Sequence, residues 1–92
     1  MKIREEFRFY GRVQGVGFRY TAKYLALSLE ITGWVYNDYD GSVLMQAQGS
    51  KEKIDLLIQK LETSQFIFIE NIIKKEIPLQ NDETYFEIKG DY

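Results

Sequence analysis

Between Glu6 and Val13 apolar and polar residues alternate, with Phe7 and Phe9 set against Arg8 and Arg12, the period of two expected of a strand with one buried face. The spacing changes at Phe18. From there Phe18, Ala22, Leu25, Ala26 and Leu29 recur at helical intervals and predict an amphipathic helix pressing one stripe on a sheet. Ile31-Thr32-Gly33 ends that helix, and Trp34 to Tyr36 has the aromatic and β-branched content of a second strand. Trp34 is expected in the core. Asn37-Asp38-Tyr39-Asp40-Gly41 is turn chemistry, because Asn and Asp accept left-handed backbone angles and Gly supplies positive φ. A third strand follows from Ser42 to Gln48, with Val43, Met45 and Ala47 on one side and Gln46 and Gln48 on the other. Gly49-Ser50 breaks it, Ser50 is a candidate N-cap, and Ile54, Leu57, Ile58 and Leu61 make the stripe of a second helix. A fourth strand is expected within residues 69 to 78, with Pro78 near its end or at an edge. Tyr85 to Ile88 reads as a last short strand. The apolar run Phe66 to Ile69 has no assignable period, and is either buried or presented at an edge strand.

The order β-α-β-β-α-β plus a short C-terminal strand predicts the α+β class, a ferredoxin-like sandwich with two helices on one face of an antiparallel sheet. With 92 residues, 45% of them hydrophobic, the chain is expected to form a single domain over residues 1–92 around one core. Nucleic-acid binders, regulators and enzymes all use this architecture, so function must come from particular residues.

Composition narrows the chemistry by what it lacks. There is no cysteine and no histidine, which excludes disulfides, thiolate nucleophiles, Ser-His-Asp catalysis and His- or Cys-ligated zinc. The net charge of −2 and pI near 5.1 create no field that gathers nucleic acid, so an anion must be held by a local positive site. That argues against base stacking by Tyr10, Tyr20, Tyr36 and Tyr39. The chain turns charged at Lys2, Arg4, Glu5 and Glu6, unlike a signal peptide, and no run approaches the ~20 apolar residues of a membrane span. A cytoplasmic protein is expected, with no membrane association.

The stretch Gly11-Arg12-Val13-Gln14-Gly15-Val16-Gly17-Phe18-Arg19 leads from a strand through glycines into a helix. Glycines let N–H groups converge, the helix start carries about half a positive charge, and a guanidinium can clamp phosphate oxygens. That is the layout of an anion cradle. As an isolated Gly-x-Gly, Gly15 and Gly17 would read simply as turn glycines; Arg19 and a second cluster, Gly33 to Val43, shift the balance. Asp38 and Asp40 invite comparison with a magnesium site, but turn chemistry explains them better. Lys51, Glu52, Lys53 and Asp55 read as a solvated helix face.

Gly11 to Arg19, with its Val-Gln-Gly-Val-x-Phe-Arg core, resembles the motif of the acylphosphatase family, small enzymes that hydrolyse carboxyl-phosphate anhydrides. Leu29, Gly33-Trp34-Val35-x-Asn37, Asp40-Gly41-x-Val43 and the ending Phe86-Glu87-Ile88 extend the resemblance over nearly the whole chain. The resemblance implies that Arg19 and the loop N–H groups of Gly15, Val16, Gly17, Phe18 and Arg19 bind the substrate phosphate, and that Asn37 positions the attacking water. The substrate is then a small-molecule acyl phosphate and the product inorganic phosphate, with no metal and no cofactor expected; the sequence leaves the oligomeric state open, with a monomer as the expectation. A non-catalytic ferredoxin-like module that binds an anion or regulates is the second reading. The family's segment between the second helix and the fourth strand is not apparent in Glu62 to Ile67.

Overall fold

The computed structural model describes residues 1–90, so the last two positions of the expected 1–92 domain lie outside the described residues. In chain order the elements are β1 (Lys2–Arg12), α1 (Phe18–Ser28), β2 (Thr32–Asn37), β3 (Val43–Ser50), α2 (Lys51–Glu62), β4 (Phe68–Ile77) and β5 (Phe86–Ile88). The strands form one sheet in the order β4-β1-β3-β2-β5. Phe7, Phe9, Val35, Val43, Met45 and Ala47 make its inner face, covered by Phe18, Ala22 and Ala26 of α1 and by Ile54, Leu57 and Leu61 of α2. The rings of Phe9 and Phe18, 4.9 Å apart between centroids, join β1 to the first residue of α1.

The expected βαββαβ order with an extra terminal strand is present, and the ferredoxin-like sandwich is mixed rather than wholly antiparallel. The first four strands of the sheet pair antiparallel, whereas β5 lies parallel to β2, with Gly33 opposite Phe86 and Val35 opposite Ile88. The physical reason lies in residues 78–85. Gln80 exchanges two hydrogen bonds with Gln48, of 2.8 and 3.0 Å, and Glu83 pairs with Arg4. Arg4 and Gln48 stand on the helix-free face, so this segment crosses that face from the β4 edge and enters the sheet again beside β2.

Arg4 explains a second difference. β1 begins at Lys2 rather than Glu6, pairing with β3 from Lys2 opposite Ser50 onward. A charged stretch conceals the strand because two of its charges are buried: Arg4 is 1% exposed and Glu5 6%. The Arg4 guanidinium donates to both carboxylate oxygens of Glu83 at 2.7 and 3.1 Å, twice to Gln46 Oε1 and once to Gln48 Oε1. Gly49 and Ser50 likewise continue β3 instead of ending it, and α2 starts directly behind them. Ser50 caps α2 as expected, its hydroxyl accepting from the Lys53 N–H at 3.2 Å.

Trp34 is not a core residue. Val35 takes the inward position of β2, so Trp34 and Tyr36 point to the helix-free face, where their rings lie 5.8 Å apart and Lys89 Nζ sits 4.8 Å from the Trp34 ring centre. The Phe66–Ile69 run divides by position: Ile67 is buried and Ile69 packs on the core, while Phe66 and Phe68 remain in solvent. β4 starts at Phe68 and ends just before Pro78, whose missing N–H takes no ladder bond.

Removing one partner of a buried ion pair leaves the other charge desolvated, at a cost of about 3–5 kcal/mol. Glu83 is 18% exposed, which places Arg4→Met toward the low end, at about 3 kcal/mol. Urea unfolding of this variant against wild type measures the loss.

Candidate active site

The site forms where β1, α1 and the β2–β3 hairpin meet. Gly17 holds the N-cap of α1 in a left-handed conformation, φ 81° and ψ 18°, and Gly15 has φ 73°. An L side chain at such angles costs about 1–2 kcal/mol. A Cβ built on either residue would meet nothing within 4 Å, so backbone angle rather than crowding requires glycine here.

The two helices begin differently. α2 has its Ser50 cap and an acidic residue, Glu52, in its first turn; α1 has no side-chain cap and no acid there. The earliest hydrogen bond of α1 runs from the Thr21 N–H to the Gly17 carbonyl at 3.0 Å. The N–H groups ahead of it have no acceptor within the helix, and a helix start of this kind favours an anion.

Gly15, Gly17, Arg19 and Asn37 line one pocket of about 100 Å³, whose wall is completed by Val13, Phe18 and Tyr20. Every predicted site residue except Val16 belongs to that wall. Val16 instead packs against the core beside the loop. Asn37 reaches the pocket because it ends β2 on the same face as Val35, opposite Val43 in the register, and it is only 7% exposed.

Three side chains that sequence reasoning left without a role hold this arrangement together. The Gln14 amide donates to the carbonyls of Asp38 and Ser42, at 2.8 and 2.9 Å, tying the glycine loop to the hairpin that carries Asn37. Arg8 reaches the same hairpin, donating to Asp38 Oδ2 and Ser42 Oγ, both at 2.7 Å. Asp38 raises the pKa of Arg8 further above its already high value, chiefly through that hydrogen bond. Within the turn, the Ser42 N–H and hydroxyl both donate to Asp40 Oδ1. Asp38 and Asp40 are therefore turn and ion-pair residues, in line with their sequence reading. Gln14 sits inside the motif, but nothing in its spacing shows where its amide points.

Among the described residues, no helix is long and apolar enough to cross a membrane. No group of three or more acidic, His or Cys side chains is gathered there as a metal would require.

Fold and pocket together define a small α+β protein of ferredoxin-like build with a small pocket at the uncapped start of its first helix. The acylphosphatase family model matches residues 5–88. An acylphosphatase of Oceanobacillus iheyensis is 40% identical over 81 residues, covering 86% of this chain and 89% of that one. The crystal structure of an acylphosphatase from Bacillus subtilis superposes with a TM-score of 0.88 at 30% identity, covering 98% of this chain and all of that one. One from Coxiella burnetii gives 0.85 at 30% identity, covering 96% and 93%. The chain belongs to the acylphosphatase family. It is an acylphosphate phosphohydrolase, and the non-catalytic alternative is not favoured.

Gln14→Ala removes two hydrogen bonds between loop and hairpin, worth about 1–2 kcal/mol together. Because small displacements in a positioned site are costly, kcat/KM for an acyl phosphate should fall about tenfold or more. Thermal unfolding and steady-state assays test both, with circular dichroism unchanged.

The Asp40 carboxyl is held below its ordinary pKa of 3.8, first by the Ser42 hydroxyl and then by the Ser42 N–H. A depressed folded-state value stabilises the fold above the ordinary pKa and loses that effect as pH falls through the folded value. Asp40→Asn should therefore flatten the decline of stability below about pH 4, measured as unfolding midpoints from pH 2 to 7.

Proposed function

We propose that Arg19 and the backbone N–H groups of residues 15–19 bind the phosphoryl group of a small acyl phosphate, and that Asn37 orients the water that attacks phosphorus. The observation that supports this reading is that Gly15, Gly17, Arg19 and Asn37, from three segments of the chain, line one small pocket.

The chemistry asks little of the protein. The leaving group is a carboxylate, whose conjugate acid has a pKa of about 4, so it departs at neutral pH without a proton. Phosphoryl transfer passes through a loose transition state in which alignment and stabilisation of charge on the equatorial oxygens supply most of the catalysis. The open amides of α1 and a bidentate guanidinium provide the second. The Asn37 carboxamide, acceptor and donor at once, provides the first. An amide is a poor base, so the water proton passes late to a phosphate oxygen, and no histidine is needed. The same reading describes a monomeric, cytoplasmic, single-domain enzyme that works without metal or organic cofactor.

Loss of one oxyanion donor costs about 10²–10³ in rate. Arg19→Ala, which also removes phosphate affinity, should lower kcat/KM for benzoyl phosphate by at least about 10²-fold. Arg19→Lys should restore little, because an ammonium lacks the planar fork. Asn37→Ala should lose kcat while inorganic phosphate still inhibits. The ultraviolet benzoyl phosphate assay measures all three; activity within a few-fold of wild type in Arg19→Ala or Asn37→Ala overturns the assignment.

A further inference from the structure

We propose that Tyr20 is the acyl-side contact of this site and favours acyl phosphates whose acyl group is aromatic or broadly apolar. This rests on the reading above, in which the pocket holds the phosphoryl end.

The pocket measures about 100 Å³, small against the ~300–1,000 Å³ of clefts that bury a whole drug-sized ligand. A tetrahedral phosphoryl group fills such a space. A pocket this small and open to solvent leads the acyl group out over the rim.

What it meets there follows from how the wall residues are otherwise used. Val13 and Phe18 are 1% and 2% exposed and belong to the core. Gly15 and Gly17 present no side chain, Arg19 supplies the guanidinium, and Asn37 is buried. Tyr20 alone in this wall combines a large apolar side chain with solvent exposure, at 60%. The buried stripe of α1 is Phe18, Ala22 and Ala26, so Tyr20 stands off the core-facing side. Its ring takes no part in the stacking of Phe9 with Phe18 or Trp34 with Tyr36, nor in the cation contact of Tyr85 with Lys23. Tyr24, one turn later, is 68% exposed and extends an aromatic surface along the same side of the helix.

The polar complement of the wall points the same way. It contains no acidic side chain and no cation other than Arg19, which is committed to phosphate. Charged substituents on the acyl group therefore find no partner in the wall, whereas a ring or apolar chain can lie against the tyrosine.

The test compares kcat/KM for benzoyl phosphate and acetyl phosphate in wild type, Tyr20→Ala and Tyr20→Phe. An aromatic contact of ordinary strength corresponds to about a three- to tenfold drop in the benzoyl-to-acetyl ratio on Tyr20→Ala, appearing in KM rather than kcat. Tyr20→Phe, which retains the ring, should keep the ratio within about twofold. Inhibition by inorganic phosphate, which has no acyl part, serves as the reference. An unmoved ratio in Tyr20→Ala overturns the role of Tyr20. So does a weakening of phosphate equal to that of benzoyl phosphate, since the residue would then act on the cradle. Both results leave the hydrolase reading intact. Absence of turnover of either substrate by wild type removes that reading and the role of Tyr20 with it.

Discussion

The start of α1 is left electrostatically incomplete, and much of the structure is arranged around that fact. A helix capped by Gly in place of Ser or Asp forgoes roughly a few tenths of a kcal/mol, and a cation in the first turn adds repulsion with the positive end of the helix. α1 has Gly17 as its cap residue and, with no acid there, Arg19 in its first turn, whereas α2 sets a Ser50 side-chain cap and Glu52 against its own Lys51 and Lys53. A sequence able to place Ser50 and Glu52 at the second helix has the means to do so at the first. The difference makes sense if a bound anion completes α1. Binding to the folded state alone then returns stability in proportion to occupancy, about 2.7 kcal/mol at a hundredfold excess over Kd.

Such a site needs its second half brought close and held there, and the sheet does this by strand order. β1 ends at the glycine loop, β3 lies beside it, and β2 lies beside β3 with Asn37 at its last position. Gln14 and Arg8 then fasten the loop side to the hairpin. At the opposite end of β1, Arg4 fastens residues 80–83 across the helix-free face, which brings β5 to the free edge of β2. The strand carrying Asn37 is thereby paired on both sides. One strand thus uses its buried arginine to close the sheet at one end and its half-buried Arg8 to position the site near the other.

How far these features can be read from sequence depends on whether they are periodic. The helices are legible because Phe18, Ala22 and Ala26, and then Ile54, Leu57 and Leu61, repeat at the helical interval. The hairpin is legible because Asn37 to Gly41 is turn chemistry over consecutive residues. The pocket lining is legible through motif residues whose types suit an anion. Long-range polar contacts have no period. Arg4 and Glu5 look like a solvated start, and only the fold shows that Glu83 comes from far along the chain to pair with Arg4, and Gln80 to bond Gln48 beside it. The same applies to Gln14, whose two acceptors lie in the turn between β2 and β3. Trp34 differs for another reason: aromatic content identifies a strand but not which of its two faces is buried, and Val35, beside Met45 and Ile88, takes the inner face.

The chemistry explains why positioning residues carry so much of this site. Where a leaving group must be protonated or a weak nucleophile deprotonated, a well-tuned acid or base supplies a large factor and tolerates some looseness around it. An acyl phosphate needs no acid, and the chain has no histidine to act as base. What remains is alignment of water, phosphorus and leaving oxygen together with charge stabilisation by fixed donors, and both depend steeply on geometry. A catalyst built that way is limited by the rigidity of its scaffold. That accounts for left-handed glycines that fix the loop, a glutamine spent on two backbone carbonyls, and an arginine bound to a turn. On the proposed reading these groups touch no reacting atom; they join β1 and the glycine loop to the hairpin that follows Asn37.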